Sequence, residues 1–229
     1  PVIGNNGIDV TKGGKAHAKP NVGRSYERTY LPTNETFTEP QLGMQWQWNH
    51  NPDNSAWSLM ESPGQLRLHT VNVTDSLDRA RNSLTQRIFG YNCEGTASAN
   101  YIDSYGTIKM ATAHMQEGDV AGIAVFQDPY SFIGVTVKDG KRMLVSMQSA
   151  YTEGADVVAA KQILGDEVTA DTIFLRAVVN YGTNKARYYY SYDNETYTSF
   201  GIEMNMRYTL KIFVGQRFYL FNYATKQLG

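Results

Sequence analysis

The sequence predicts an all-β fold, a two-sheet antiparallel β-sandwich preceded by an extended N-terminal arm. The 229 residues include 16 tyrosines, 9 phenylalanines and 20 glycines but only 7 prolines, a composition typical of strands joined by tight turns. Short apolar or alternating runs recur from residue 65 to residue 223, with no helical segment longer than a turn or two between them, which argues against a parallel α/β sheet. Apolar residues make up 41% of the chain, enough for one large core.

The first 35 residues differ from the rest of the chain. They are small, polar and aperiodic, and include Gly-Asn-Asn-Gly at 4–7 and Lys-Gly-Gly-Lys at 12–15. We interpret residues 1–35 as a linker or extended arm. Strand signals become dense from Thr36 onward, so residues 36–229 are predicted to form the sandwich.

All three tryptophans lie in one stretch that begins the sandwich. Trp46 and Trp48 are two positions apart, so in a strand they share a face, and a polar loop returns the chain to Trp57. Such a face either fills the core between the sheets or stands open as a platform for a sugar ring. His50 lies in the polar loop, where it either contacts a sugar or a neighbouring domain or is simply solvated.

The remaining strands follow in order. Asp139-Gly140 between two runs predicts a type I′ hairpin. Residues 72–82 contain enough helix-forming residues for a turn or two. His69 lies in an alternating run and is interpreted as an ordinary strand residue. Strands are predicted at 65–71, 84–89, 107–115, 120–127, 130–137, 142–147, 157–164, 172–180, 185–192, 208–213 and 217–223.

The charge, the hydropathy pattern and the motifs of the sequence argue against several classes of function. The net charge of −1, from 21 basic and 22 acidic residues, gives no field for nucleic acid or an anionic membrane, and no apolar run is long enough for a membrane span. There is no phosphate-binding loop, no His-Glu-x-x-His and no Gly-x-Ser-x-Gly. The four histidines lack metal-ligand spacing, and one cysteine cannot form an internal disulfide.

Polar and aromatic side chains on two strands are candidate ligand contacts. Arg81 and Gln86 either hydrogen-bond sugar hydroxyls or satisfy main-chain groups. Tyr188, Tyr190 and Tyr192 alternate along a strand and share one face. In one interpretation this row is exposed and binds a sugar chain. In the other it is an ordinary strand face.

Three segments carry a family resemblance: Trp-Gln-Trp-Asn-His-Asn-Pro-Asp at 46–53, Ala-Arg-Asn-Ser-Leu-Thr-Gln-Arg at 80–87, and Gly-Asp-Val-Ala-Gly-Ile-Ala-Val-Phe-Gln at 118–127. From about Thr36 to its end, the chain resembles the concanavalin-A-like jelly roll at the C-terminus of many glycoside hydrolase family 43 enzymes, the β-xylosidases and α-L-arabinofuranosidases. The resemblance implies that a catalytic propeller precedes the arm. It also implies one further strand after the end of this sequence, without which a sheet edge is left open.

The resemblance implies a non-catalytic, carbohydrate-binding accessory module that acts on the xylan or arabinoxylan of plant cell walls. The alternative is part of an active β-xylosidase or α-L-arabinofuranosidase, with a loop that completes the substrate pocket of a separate propeller. In the family, a segment like 212–215 reaches that pocket, so Phe213 is either a substrate contact or a core residue. A third interpretation is a domain that only stabilises its enzyme.

The resemblance also implies partners, location and one metal. Concanavalin-like sandwiches often bind a structural calcium ion through an acid near the first strand and acids of the last strand, and Glu39 is the early candidate here. No other cofactor is expected. The implied partners are xylan or xylo-oligosaccharide and the propeller. We expect a bacterial protein that is secreted or periplasmic, with a cytoplasmic location left open.

Overall fold

The computed structural model describes residues 2–4, 7–9, 23–25, 33–88, 103–212 and 214–228. The chain divides into two compact units, residues 1–32 and residues 33–229. In the first unit, strands β1 (Val2–Gly4) and β2 (Gly7–Asp9) form an antiparallel pair. The predicted boundary at 35/36 and the role of the first segment as a linker stay predictions.

The second unit is almost entirely β-structure, which confirms the predicted fold class. One 3₁₀ turn, Leu77–Arg79, occupies the segment predicted to be helical. No helix in the described ranges has the length and apolar character needed to cross a membrane. The strands are β3 (Trp46–Trp48), β4 (Trp57–Ser58), β5 (Arg67–Leu68), β6 (Leu84–Arg87), β7 (Ser104–Ala111), β8 (Asp119–Phe126), β9 (Ser131–Lys138), β10 (Lys141–Gln148), β11 (Tyr151–Glu153), β12 (Asp156–Val158), β13 (Lys161–Glu167), β14 (Thr172–Asn180), β15 (Lys185–Ser191), β16 (Thr198–Ser199), β17 (Met204–Asn205) and β18 (Arg217–Ala224).

Two antiparallel sheets form the sandwich. The larger has seven strands in the order β13-β10-β9-β8-β18-β6-β3. The smaller has the order β16-β15-β14-β7, and β17 pairs with β15. Two hairpins, β4–β5 and β11–β12, lie outside these sheets. The last described strand, β18, is therefore interior to its sheet, and the outermost of the described strands in the larger sheet are β13 and β3.

Two apolar clusters bury both faces of the central strands of the larger sheet. The first lies between the sheets, where alternate residues of facing strands meet: Ile123, Val125, Ile133, Val135, Ile173, Leu175, Ala177 and Val179. The second lies on the opposite face and is closed by the segment around the 3₁₀ turn: Leu77, Ala80, Phe126, Tyr130, Phe132, Tyr219 and Phe221. Burial on both faces explains why β8 and β9 read as continuous apolar runs rather than as alternating ones.

The Asp139-Gly140 hairpin is confirmed. Both residues have positive φ, 53° and 73°, as a type I′ turn requires. The predicted strand at 208–213 is wrong, because residues 206–212 form an irregular loop. None of the described strands pairs with this segment, despite its alternating apolar pattern. The predicted strand at 157–164 is also interrupted, and splits into β12 and β13.

The tryptophan pair lies at the margin of the sandwich. Trp46 and Trp48 belong to β3, an edge strand, whereas the smaller sheet packs on β8 and β9. Both indoles are half-buried, so the prediction that they are buried between the sheets is wrong. Instead, Phe37 stacks on Trp46 with ring centroids 5.8 Å apart, and Trp57 contacts Trp48 at 5.1 Å. Each indole thereby has an aromatic neighbour, which also argues against an open platform.

Candidate functional site

A cleft of about 600 Å³ opens beside the edge strand β7. Its floor comes from β8 and β18 of the larger sheet, one wall from β7 and residues 114–116, and the other wall from residues 64–70 around β5. Among the described strands, β7 is the last of the smaller sheet, so none of them faces the neighbouring part of β18, and this leaves the cleft. Its apolar lining includes Phe37, Leu66, Ile108, Met110, Met115 and Leu220.

Phe37 contributes an aromatic ring to this cleft from an uncommon backbone conformation. Its φ is 51°, in the left-handed region that bulky residues rarely adopt. The Glu35 carboxylate holds this conformation, because its Oε1 accepts the N–H of Thr36 at 2.9 Å and that of Phe37 at 3.0 Å. Strained backbone of this kind concentrates at binding and catalytic sites.

The second carboxylate oxygen of Glu35 ties the same segment to β3. It accepts hydrogen bonds from Gln45 Nε2 at 3.0 Å and from Trp46 Nε1 at 3.2 Å. Four donors therefore converge on one carboxylate, and the ring of Phe37 rests on the indole of Trp46. The position of the cleft aromatic is thus fixed by the hydrogen bonds that Glu35 accepts and by stacking on Trp46.

The wall around β5 carries polar side chains. His69 Nε2 lies 2.8 Å from Glu61 Oε2, and Arg67 Nε lies 3.5 Å from Glu61 Oε1. The hydrogen bond with His69, together with the charges of His69 and Arg67, lowers the pKa of Glu61. Glu61 thus stays anionic and orients two donor-bearing side chains, Arg67 and His69, that line the cleft.

Two buried oxygens lie in the floor of the cleft. Asp119 Oδ1 and Asn222 Oδ1 have no hydrogen-bond partner in the part of the chain that the structure describes. Burial raises the pKa of Asp119, whose other oxygen accepts the N–H of Gln116 at 2.8 Å. Asn222 Nδ2 donates to the carbonyl of Leu68 at 2.8 Å and so fastens the β5 wall to the floor. The floor therefore carries less negative charge in mild acid than an ordinary aspartate would give it.

The predicted contacts at the tryptophan stretch do not line the cleft. Trp46 supports Phe37 from beneath, and Trp57 donates its Nε1–H to Asn54 Oδ1 at 3.0 Å while packing on Trp48. His50 is exposed on another part of the surface, with Nε2 3.1 Å from the carbonyl of Asp78. Their contacts with sugar stay predictions.

Arg81 and Gln86 donate to main-chain carbonyls. Arg81 Nη2 lies 3.1 Å from the carbonyl of Asn51, and Gln86 Nε2 lies 2.9 Å from that of Thr33. These bonds agree with the alternative in which the two side chains satisfy main-chain groups. Neither side chain lines the cleft.

Tyr190 requires a correction. It packs against the cluster between the sheets and contacts Phe200 edge-on, while Tyr188 on the same face is buried. Of the two interpretations of this strand, the exposed row is wrong and the ordinary strand face is right, because this face of β15 points inward and, of the three tyrosines, only Tyr192 at its end is exposed.

Phe213 lies outside the described residues. Glu39 is exposed, and no group of three His, Cys, Asp or Glu side chains converges to hold a metal ion within the described ranges. The calcium site stays a prediction.

The sequence did not identify Phe37 as a site residue, and it indicated only an ordinary strand residue at His69, yet both line the cleft. The local sequence does not indicate that Phe37 takes a positive φ. The Glu35 carboxylate that accepts its N–H is itself positioned by a hydrogen bond from Trp46, eleven positions later in the chain. His69 and Arg67 share a face of the alternating run at 65–71, and that alternation was the available signal for a common wall.

Comparison with solved structures identifies similar domains within larger enzymes. A bifunctional GH43-CE protein of Bacteroides eggerthii superposes with a TM-score of 0.71 at 35% identity, covering 82% of this chain and 22% of its own. A GH43 glycoside hydrolase engineered for both endo-xylanase and exo-arabinofuranosidase activity gives a TM-score of 0.73 at 29% identity, with coverages of 90% and 40%.

Curated sequences agree with the structural neighbours. A β-xylosidase of Formosa agariphila is 31% identical over 99% of this chain, which spans 38% of the relative's length. A non-reducing end α-L-arabinofuranosidase of Bacteroides ovatus is 27% identical over 49% of this chain, which spans 20% of its length. The profile described as the β-xylosidase C-terminal concanavalin A-like domain matches residues 34–228. The chain therefore belongs to this family of C-terminal domains of family 43 glycoside hydrolases.

Proposed function

We propose that this chain is a non-catalytic accessory module of a family 43 glycoside hydrolase and that its cleft binds xylan or arabinoxylan. The observation that carries the proposal is Phe37, an aromatic side chain held by a strained backbone at a cleft with a polar wall. The volume of about 600 Å³ falls in the range of roughly 300–1,000 Å³ typical of small-ligand sites.

The lining suits a neutral, hydroxyl-rich ligand. A pyranose ring has an apolar face that stacks on an aromatic ring such as Phe37, and it has hydroxyl groups at its rim. Arg67 and His69 supply hydrogen-bond donors on one wall, and Gln65 supplies both a donor and an acceptor. Burial raises the pKa of Asp119, so in mild acid the floor carries less negative charge than an ordinary aspartate would give it, which favours a neutral ligand.

The carboxylates around the cleft support a binding role rather than a hydrolytic one. Glycoside hydrolysis needs two free carboxyl groups, roughly 5–5.5 Å or 6.5–9.5 Å apart. Glu35 already accepts four hydrogen bonds, and Glu61 is paired with His69 and Arg67. Asp119 is buried and carries no proton-transfer partner on its free oxygen among the described residues.

Calorimetric titration of the full chain with xylohexaose and with arabinoxylan tests the proposal. The variant Phe37→Gly removes the ring and relieves the strained φ, and we expect it to weaken binding at least about tenfold. The variant Tyr208→Ala is the control, because it removes an exposed aromatic residue that does not line the cleft. Failure of the unmodified chain to bind, or equal affinity in Phe37→Gly, contradicts the proposal.

A second candidate function is favoured by the loop at 206–216. Tyr208, Leu210 and Val214 are exposed, at 59%, 79% and 37%, and apolar surface gathered in one place usually marks an interaction site. In the family that this chain resembles, the corresponding loop completes the pocket of the catalytic propeller, which is the proposed partner.

The loop is held firmly enough for that role. The buried side chain of Gln127 donates from Nε2 to the carbonyl of Ile212 at 2.9 Å and to that of Val214 at 2.5 Å. Gln216 Nε2 donates to the carbonyl of Arg207 at 3.0 Å and closes the base of the loop. An exposed loop with a fixed base loses little conformational entropy when a partner binds.

Reconstitution tests this second candidate. The full chain is mixed with a separately produced family 43 propeller, and hydrolysis of an aryl xyloside is measured. Leu210→Ser is expected to lower the regained activity severalfold, whereas Phe37→Gly leaves it unchanged, because the cleft and the loop are different surfaces. Absence of any gain on mixing, or equal gain with Leu210→Ser, excludes it. Because the proposed substrate is a polymer, the same proposal includes a secreted or periplasmic location for the protein.

A further inference from the structure

The outer face of the smaller sheet carries cationic side chains packed on aromatic rings. In the antiparallel register, Arg176 on β14 lies opposite Thr107 on β7 and Tyr189 on β15, so the three side chains share one face. The neighbouring pair on that face is Phe174 and Lys109. This face is opposite to the one that contributes Ile173 and Leu175 to the core.

Arg176 is held between two tyrosines. Its Cζ lies 3.6 Å from the ring centroid of Tyr197 and 4.8 Å from that of Tyr105, and its Nε donates to Thr107 Oγ1 at 2.8 Å. In the described part of the chain, no carboxylate pairs with it, and its terminal nitrogens have no acceptor. The guanidinium is therefore oriented in advance, with its outer edge free to donate.

Other cations on the same sheet are neutralised. Arg187 Nη2 lies 3.1 Å from Asp103 Oδ2, and Lys185 Nζ lies 2.8 Å from Glu203 Oε1. Lys109, by contrast, lies 5.9 Å from the ring centroid of Phe174 and has no ion-pair partner within the described ranges. Arg176 and Lys109 are diagonal neighbours on adjacent strands, which sets their Cα atoms roughly 7–8 Å apart. Two uncompensated positive charges thus lie side by side.

We propose that this outer face, defined by Tyr105, Lys109, Arg176 and Tyr197, is a second carbohydrate-binding surface that selects polysaccharides bearing carboxylate groups. A guanidinium edge binds a carboxylate through two parallel hydrogen bonds, and Lys109 adds a second positive charge. Tyr105 is 63% exposed and offers a ring for the neighbouring sugar unit. The surface thus fits a chain of neutral sugars with uronic acid substituents.

The second surface rests on the proposed function only in that its ligand is also a polysaccharide. The cleft recognises neutral sugar through Phe37, whereas the outer face recognises charge. Lys109 also lines the cleft, whereas Tyr105, Arg176 and Tyr197 do not, so Arg176 is the residue at which the two surfaces are told apart. One ligand pair makes the distinction: a uronic-acid-bearing xylan, and the same xylan with its carboxyl groups reduced to alcohols.

Affinity electrophoresis of the full chain in gels that contain either polymer tests the proposal. We expect the unmodified chain to bind the acidic polymer at least tenfold more tightly than its reduced form. Arg176→Gln should abolish this ratio, and Arg176→Lys should retain only part of it, because lysine keeps the charge without the planar edge. Arg187→Gln is the matched control, since it removes a cation on the same sheet that is already paired with Asp103.

Phe37→Gly separates the two proposals, because it should weaken binding to both polymers while leaving their ratio intact. A ratio near one in the unmodified chain overturns the second surface and leaves the cleft untouched. Equal losses in Arg176→Gln and Arg187→Gln also overturn it, because they indicate unselective attraction to a polyanion. Equally tight binding of dextran sulfate overturns the preference for carboxylate. Thermal melting of each variant shows whether a loss of binding arises from unfolding.

Discussion

Substitutions at Phe37 test the strained backbone on which the cleft depends. With φ at 51°, an L side chain at this position costs roughly 1–2 kcal/mol, and glycine does not incur that cost. Glycine costs about 0.5–1 kcal/mol in unfolded-state entropy relative to alanine. The difference predicts that Phe37→Gly is more stable than Phe37→Ala by about 0.5–1 kcal/mol, the reverse of the usual order.

Against the unmodified chain, both variants lose the stacking of Phe37 on Trp46, an interaction worth about 0.5–1.5 kcal/mol. Phe37→Gly should therefore lie within about 1 kcal/mol of the unmodified chain, because relief of strain offsets most of the loss. Urea unfolding at 25 °C, compared at equal m-values, measures the difference in the free energy of unfolding. If alanine is as stable as glycine or more so, residue 37 does not occupy the left-handed region and the argument for a preset aromatic fails.

Three further predictions concern carboxylates. Glu35→Gln should lower the free energy of unfolding by about 1–3 kcal/mol, because a neutral amide cannot accept all four hydrogen bonds; the exposed Glu39→Gln is its control in urea unfolding. Glu117 has a pKa held at about 2, below its ordinary 4.5, first by the hydrogen bond from Lys226 and then by the N–H of Gly140. Its contribution to stability is complete above pH 4.5 and is lost as the pH falls toward 2, so Glu117→Gln should flatten this part of the pH profile. The full chain alone should not hydrolyse aryl xylosides or arabinosides, measured by release of the aryl group after repurification.

Each of these expectations has an opposing result. Equal stability of Glu35→Gln and the unmodified chain shows that the four hydrogen bonds are not formed in solution. An unchanged slope between pH 5 and pH 2 in Glu117→Gln means that its pKa is not depressed. Hydrolysis that persists through repurification and disappears on replacing one acid of this chain contradicts the non-catalytic assignment.

Features set by local chemistry could be predicted from the sequence. The turn at Asp139-Gly140 needs two residues that tolerate positive φ, and this dipeptide supplies them without help from the rest of the fold. Alternation along β15 likewise indicated that Tyr188 and Tyr190 share a face, because the side-chain period of a strand is fixed at two. The pattern did not reveal which of the two faces is buried.

The loop at 206–212 illustrates where pattern fails. Its residues alternate like those of a strand, yet a strand forms only where another strand offers unpaired main-chain groups. Here Gln127, 85 positions away from Ile212, supplies the hydrogen bonds instead. A contact between such distant residues leaves no mark on the local sequence.

The sequence by itself determined that this protein is an antiparallel sandwich of the β-xylosidase C-terminal type, because strand periodicity, turn residues and the motifs at 46–53, 80–87 and 118–127 are all local. Only the tertiary structure decided where the cleft lies that we propose as the ligand site. The cleft arises because β7 ends the smaller sheet while the larger sheet continues through β18 and β6 to β3. Phe37 reaches that cleft because Glu35 accepts its N–H, while Trp46 donates to the same carboxylate and stacks on the Phe37 ring. The cleft and the position of Phe37 in it both depend on how far the larger sheet extends past the smaller one. That is a property of the packed sheets and not of any one strand.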